Sequence, residues 1–391
     1  MLESVDKCWI HKYNSIMTKD LGTKNIQAVK PVSTKEAAEF LGISTSTIYR
    51  MVEIGTLEPS KTPGGQRRFD MDTLEKFKEI SKTIEAPQNP SEFKEKPSIT
   101  EKPAERKPVD KRNSLNDLNG TEWLPATKSY MYQKGLGSKH PHAQIERMHP
   151  APYSFQDIEQ LVTFFTKRGA HVLDPFGGVG STAKACEVNG RICTSIELQE
   201  AWHELAIERL DTETTEGASK KHNFIQGDSR DVLKTFEDST FDFMVTSPPY
   251  WSILNKKADH KVKDRVTNNL ATNYSDGDLR DLGNIEDYDD FMKILVDDFF
   301  MESGRVLKRN GYMCLVVSDF RHKSKFISFH SDLIQAMNQK LTSDGYQMML
   351  QGIKVLIQNH KSLLPYGYPF AYVENIHHQY ILIFRKMDAQ K

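Results

Sequence analysis

Thr246 to Trp251 read TSPPYW, directly after the apolar run FDFMV. Paired prolines are a plain way to stop a strand, because proline has no ladder donor and a fixed φ. That leaves the hydroxyl of Ser247 and the rings of Tyr250 and Trp251 unexplained at the mouth of a buried strand. A second run ends in VLDPFGGVGSTAKAC, where Asp174 closes the strand and Gly177, Gly178 and Gly180 let the backbone turn sharply against a ligand. Ser181 or Thr182 then opens a helix whose free amides can hold an anion. A third run ends at Glu197, about 20 residues on, where a carboxylate can accept both hydroxyls of a ribose. A fourth, QGDSRDV, places Asp228 to accept from an adenine amino group. Each acid could equally cap a helix. Together, at successive strand ends, they describe a pocket for an adenosine compound with SPPY beside it.

The elements that must hold these residues are visible as AHVLDP, RICTSIEL, HNFIQGD, FDFMVTSPP, GYMCLVVSD, IKVLIQ and YILIFRK, most of them separated by amphipathic stretches. Alternation of this kind predicts a mainly parallel α/β sheet with helices on both faces and ligands at the carboxyl ends of the strands.

Here the chain resembles the amino-methylating DNA methyltransferases, over roughly Met148 to Lys386, in its Asp174-Pro175-Phe176-x-x-x-Gly180 loop and its Ser247-Pro248-Pro249-Tyr250 motif. The resemblance implies a Rossmann-like, seven-stranded, mostly parallel methyltransferase fold and S-adenosylmethionine as cofactor. It implies Asp174, Phe176, Gly177, Gly178, Gly180, Ser181, Glu197 and Asp228 as cofactor residues, and Ser247, Pro248, Pro249 and Tyr250 as the catalytic turn. Ser247 and the Pro248 carbonyl would accept the hydrogens of an exocyclic amine, Tyr250 would stack on a flipped base, and Trp251 would line the base pocket. In that family a serine at this position goes mostly with cytosine N4; adenine N6 is the alternative. ERMHPAPYSFQDIEQLV resembles the segment that closes over the methionine end, with His149, Pro150, Tyr153 and Ser154 as candidates; His149 could equally cap the following helix. No Pro-Cys motif for the covalent cytosine-C5 route is present.

Near the N-terminus, VSTKEAAEFLGISTSTIYRMVEIGTLEPSKTPGGQRRFD reads as two short helices and a hairpin. Ser33 and Glu36 form a capping box, Gly42 ends the first helix, and a second starts at Ser44 with Ile48, Met51 and Val52 inward. This resembles the winged helix-turn-helix of the MerR and excisionase type and implies DNA contacts from Ser44, Thr45, Ser46, Tyr49, Arg50, Arg67 and Arg68.

The expected domains are a tail over 1–28, the winged helix-turn-helix over 29–84, a flexible linker with five prolines over 85–120, and the methyltransferase domain over 121–391. No large recognition region is expected after the catalytic domain. Two segments could substitute. SILNKKADHKVKDRV offers Lys256, Lys257, Lys261, Lys263 and Arg265 to phosphates, and HKSLLPYGYPFAYVENIHH resembles a segment facing the flipped base, although its aromatics could equally be core and turn residues.

The four cysteines, Cys8, Cys186, Cys193 and Cys314, have no zinc spacing and are expected as buried thiols, with no metal site. The net charge of -1 argues neither for nor against nucleic acid. Without a long apolar run or a basic-then-apolar leader, the expectation is a cytoplasmic protein with no membrane contact. Double-stranded DNA is the expected partner, and a cognate restriction endonuclease is one that the resemblance allows. A regulator that only senses cofactor through the same fold, or an enzyme acting on RNA or protein glutamine, are the rival readings.

Overall fold

The structure is a computed structural model that describes residues 31–43, 45–53, 57–62, 67–83, 106–134, 140–251, 271–275, 277–358, 361 and 363–389. The chain divides into two compact units, Met1–Ala104 and Glu105–Lys391.

In the first unit, β1 (Val32–Ser33), α1 (Thr34–Leu41), α2 (Thr45–Glu53), β2 (Ser60–Lys61), β3 (Arg67–Phe69) and α3 (Met71–Thr83) enclose a small core of Ala37, Ala38, Ile48, Leu57, Phe69 and Leu74. The capping box forms as the sequence predicts: the Ser33 amide donates to Glu36 Oε2 at 2.7 Å, and the Glu36 amide to Ser33 Oγ at 3.4 Å. Gly42 ends α1 in the left-handed conformation, at φ 70°. β1 and β2 both pair antiparallel with β3, which builds the wing.

The second unit runs α4 (Gly120–Ala126), β4 (Tyr130–Tyr132), α5 (Gln144–Met148), α6 (Phe155–Phe165), β5 (His171–Asp174), α7 (Ser181–Asn189), β6 (Ile192–Glu197), α8 (Glu200–Glu213), β7 (Asn223–Gln226), α9 (Ser229–Val232) and β8 (Phe241–Thr246). It continues with α10 (Tyr288–Ile294), a π-helical segment (Leu295–Met301), α11 (Glu302–Val306), β9 (Leu307–Val317), the hairpin β10 (Phe320–His322) and β11 (Lys325–Ile327), α12 (Phe329–Asn338), β12 (Tyr346–Ile357) and β13 (His378–Asp388).

The main sheet has the order β4-β12-β13-β9-β8-β5-β6-β7, with β13 antiparallel to both neighbours and the other pairs parallel. This is the expected Rossmann-like, mostly parallel α/β sheet with one more strand than the seven read from the sequence. The additional strand, β4, is a three-residue edge, too short to leave a periodic signal.

Alternation along the central strands explains the two-sided burial. Leu173, Met244, Met313 and Leu315 face one core with α10, the π-helical segment and α12. Val172, Phe243, Val245, Cys314 and Val316 face the other with α6 and α7. Cys186, Cys193 and Cys314 are buried free thiols, as expected. Cys8 lies outside the described residues. No described helix is long and apolar enough to cross a membrane.

The linker expectation needs a correction over 106–119. Asn116 is fully buried and donates to the Phe164 carbonyl at 2.6 Å, Asp117 accepts from the Arg168 amide at 2.8 Å, and Arg106 pairs with Glu122 at 2.8 Å. This stretch is fixed to the second unit by asparagine and aspartate hydrogen bonds rather than apolar burial, which a composition argument does not register.

Candidate active site

The carboxyl ends of β5, β6, β7 and β8 open into one cleft, where ligands of such sheets are held. Its walls include His149, Phe176, Gly178, Glu197, Asp228, Ser247, Pro248 and Pro249. Residues singled out by their separate positions in the sequence therefore meet at one place.

The glycine loop is shaped by close approaches. A Cβ on Gly177 would lie 2.0 Å from Ser195 Oγ, while the Gly177 amide donates to the Ile196 carbonyl at 2.8 Å, so only glycine lets the loop lie against β6. Gly180, at φ 73°, starts α7 with its Cα against Ala206 of α8.

Behind the loop, Asp174 is wholly buried and accepts hydrogen bonds from Tyr153 Oη at 2.6 Å, Thr182 Oγ1 at 2.5 Å, Thr246 Oγ1 at 2.6 Å and the Phe176 amide at 3.1 Å. Burial raises its pKa despite these donors. Asp174 does not line the cleft; it ties the glycine loop to Thr246, the residue before Ser247. Tyr153 and Ser181 are likewise behind the wall. The Tyr153 hydroxyl sits between Asp174 and Thr182. Ser181 donates to the Tyr153 carbonyl at 2.8 Å and accepts from the buried Arg209 at 3.0 Å. Their side chains point into the packed layer under the loop. Expected as cofactor residues, Asp174, Tyr153 and Ser181 thus lie behind the wall of this cleft, since spacing alone cannot give the side of a loop a side chain faces.

Glu197 accepts from the Gly178 amide at 2.8 Å and the Gln199 amide at 2.9 Å, and burial pushes its carboxyl up to about 7, with Asp174 and Asp281 adding repulsion. Asp228 caps α9 through the Arg230 amide at 2.9 Å, pairs with the Arg230 guanidinium at 2.5 Å, and lines the cleft. His149 ends α5 and lines the cleft beside Gly178, its ring 5.1 Å from Trp202 and 5.8 Å from Tyr274. Ser154 caps α6 through the Gln156 amide.

At the proline turn, Ser247 is half-buried at the cleft wall. The Tyr250 hydroxyl is hydrogen-bonded by the side chains of Ser247 and Gln379, the latter at 3.3 Å. Its ring packs 6.1 Å from Phe329 and borders a smaller cavity that shares Tyr274 and Asp281 with the main cleft. Trp251 is only 8% exposed, donates to the Ile285 carbonyl at 3.0 Å and packs against Tyr288 and His322. It anchors the turn in the core instead of lining a base pocket, because its indole N–H finds a backbone acceptor there.

Sequence reasoning missed Gln199, Trp202, Tyr274, Arg280, Asp281 and Phe299, all of which line the cleft. Gln199 and Trp202 follow Glu197 onto α8 and had a positional signal. Tyr274, Ser275 and Asp281 belong to a stretch of sequence without periodicity and are held by Trp202 Nε1 donating to the Tyr274 carbonyl at 3.1 Å and by Ser275 Oγ donating to Asp281 at 2.6 Å.

Of the expected DNA contacts, Tyr49 is 47% exposed and the Arg67 guanidinium lies 5.1 Å from its ring centroid, so α2 and the wing present one surface. Thr45 is exposed and Arg68 half-buried. Ser44, Lys256, Lys257, Lys261, Lys263 and Arg265, the tip of the expected hairpin, and the side chains of Ser46 and Arg50 lie outside what the structure describes.

Residues 32–79 match the model of a helix-turn-helix domain family. A curated relative from Escherichia coli (strain K12), named "Putative methylase YubD", is 41% identical over 64 residues, 16% of this chain and 28% of that protein. Among solved structures, TrmN from Thermus thermophilus is 17% identical, over 64% of this chain and 52% of that one, with a TM-score of 0.36. TTHA0409, also from Thermus thermophilus and described as a "Putative DNA Modification Methylase" complexed with S-adenosyl-L-methionine, is 27% identical over 42% of this chain and 55% of that one, with a TM-score of 0.27. The chain thus spans about a quarter of the curated relative and about half of the solved ones.

Proposed function

We propose that this chain is a DNA amino-methyltransferase that moves the methyl group of S-adenosylmethionine to the exocyclic N4 of cytosine in a base turned out of the duplex. The observation that carries the reading is that Ser247, Pro248 and Pro249 share one cleft with Glu197 and Asp228. The names of the relatives are consistent with it.

The residues fit the cofactor. Glu197, with its carboxylate already fixed by two backbone amides, would take the ribose hydroxyls; Asp228 would take the adenine amine; the loop through Gly178 would lie along the methionine end. Bound there, the cofactor supplies an electrophilic methyl group on a sulfonium.

An exocyclic amine is a weak nucleophile because its lone pair is delocalised into the ring. Ser247 Oγ and the Pro248 carbonyl accept its hydrogens, which favours the pyramidal nitrogen whose lone pair can attack. Pro249 adds no competing N–H donor. Tyr250 holds the Ser247 hydroxyl through its own. The helix-turn-helix unit would bring the chain to double-stranded DNA.

Ser247→Ala should lower turnover about 10²-fold while leaving the cofactor Kd, read by calorimetry, within about twofold. Normal turnover in that variant would remove Ser247 from the mechanism.

A further inference from the structure

At the amino ends of β5, β8 and β9, the far end of the sheet from the strand-end cleft, the second unit has a groove of about 500 Å³, a volume within the range of small-molecule sites. Lys167, Arg168, Lys308, Arg309 and Arg385 line it, and Asp242 is the one acid among the described residues that do. In a chain whose net charge is -1, five cations around one space are a local concentration that overall composition does not account for. Two of the five are neutralised in place: Lys308 pairs with Asp242 at 2.6 Å, and Arg309 pairs with Asp388. Among the described residues no acidic side chain pairs with Lys167, Arg168 or Arg385. Asp117 accepts from the Arg168 backbone amide at 2.8 Å, but its ion pair, at 3.5 Å, is with Arg191.

The backbone on both walls is braced. The Gly169 amide donates to the Gly190 carbonyl at 2.7 Å and the Ala170 amide to the Lys167 carbonyl at 3.2 Å, which fixes the turn carrying Lys167 and Arg168. On the opposite wall Asn310 sits at φ 66°, and a Cβ on Gly311 would lie 2.8 Å from the Lys308 carbonyl oxygen and 3.1 Å from that of Asp242, so this turn is pressed against β8. Arg385 Nε donates to the Asn310 carbonyl at 3.2 Å, and the guanidinium lies 5.2 Å from the Tyr312 ring centroid. Repulsion among the cations is therefore not relieved by the turns moving apart.

We propose that this groove binds a small phosphate-bearing anion, held between Lys167 and Arg168 on one wall and Arg385 on the other. Lysine and arginine meet phosphate oxygens through short, charge-assisted hydrogen bonds, and these three are the lining cations that no acid of the chain already holds. Asp242 and Asp388 interrupt the positive surface along the β9 wall, which suits a compact anion better than a nucleic-acid backbone that needs a continuous basic track. The length of β9 from Tyr312 to Val317, about 17 Å at the rise of a strand, separates the groove from the end of the sheet where Ser247 lies. The anion is thus distinct from any base presented to Ser247, and the site stands whether or not the chain transfers methyl groups.

The test is calorimetric titration of the full chain with pyrophosphate and, as the arm for a phosphodiester backbone, with an abasic single strand. The wild type should bind pyrophosphate, and Lys167→Glu/Arg168→Glu should bind it about tenfold more weakly or worse. Arg385→Gln, on the other wall, should weaken it in the same direction and serves if the double variant does not fold. Lys220→Glu/Lys234→Glu makes the same change in net charge at two exposed lysines outside the groove and should leave pyrophosphate binding as it is in the wild type. Unchanged melting temperatures and S-adenosylmethionine affinity in the groove variants guard against misfolding. Failure of the wild type to bind pyrophosphate would overturn the proposal, and so would an equal loss in the Lys220/Lys234 variant, which would reduce the effect to net charge. Binding of the abasic strand that depends on Lys167 and Arg168, without binding of pyrophosphate, would overturn it in favour of a nucleic-acid backbone.

Discussion

Glu197 is the half-buried carboxylate proposed to hold the ribose hydroxyls, and its charge changes near neutral pH. Its carboxyl titrates at about 7 because burial costs the ionised form more than the two amides return. Ribose hydroxyls donate best to the ionised form, so a ligand that uses them should bind more tightly as pH rises through about 7 and lose affinity below it. Glu197→Gln should weaken cofactor binding roughly tenfold or more and flatten the dependence between about pH 6 and 8, measured by calorimetry at each pH. A variant that keeps the wild-type pH profile would place the titrating group elsewhere. Glu197, Asp228 and Ser247 were legible in the sequence because each sits at a strand end, where the fold itself dictates exposure to the cleft. Asp174, Tyr153 and Ser181 were legible as important but not as to their side of the wall, since one residue of loop geometry decides that.

At the scale of elements, the link between the glycine loop and the proline turn is the Asp174 cluster. Thr246→Val removes one of four hydrogen bonds to a carboxylate and should cost about 1 kcal/mol. Asp174→Ala removes the acceptor shared by three hydroxyls and one amide in a dry interior, where only Tyr153 and Thr182 keep each other as partners, and should cost about 3 kcal/mol or more. Urea midpoints of the two variants should differ in that order; equal midpoints would mean that the cluster is not the joint inferred here. The strands themselves were readable because their apolar runs are long and doubly buried. Tyr274, Ser275 and Asp281 were not, because they are held by side-chain and backbone hydrogen bonds specific to their place beside Trp202. Residues 106–119 escaped for the same reason: asparagines that turn back on the chain look, by composition, like linker.

For the whole molecule, two units of different chemistry are joined in one chain, a small helix-turn-helix with the Tyr49–Arg67 pair on its surface and a large α/β unit with a cleft at its strand ends. Arg67→Ala should weaken duplex binding and reduce the slope of log Kd against log salt by about one, leaving cofactor affinity unchanged. Tyr49→Ala should weaken duplex binding with no change in slope. Loss of cofactor binding in either variant would contradict the division of labour. The central claim is most directly tested by incubating the protein with unmethylated plasmid and S-adenosylmethionine, digesting the DNA to nucleosides and identifying them by mass spectrometry. The account predicts N4-methylcytosine; N6-methyladenine would contradict the assignment of the base, and no methylated nucleoside from a protein that binds the cofactor would contradict DNA methylation itself.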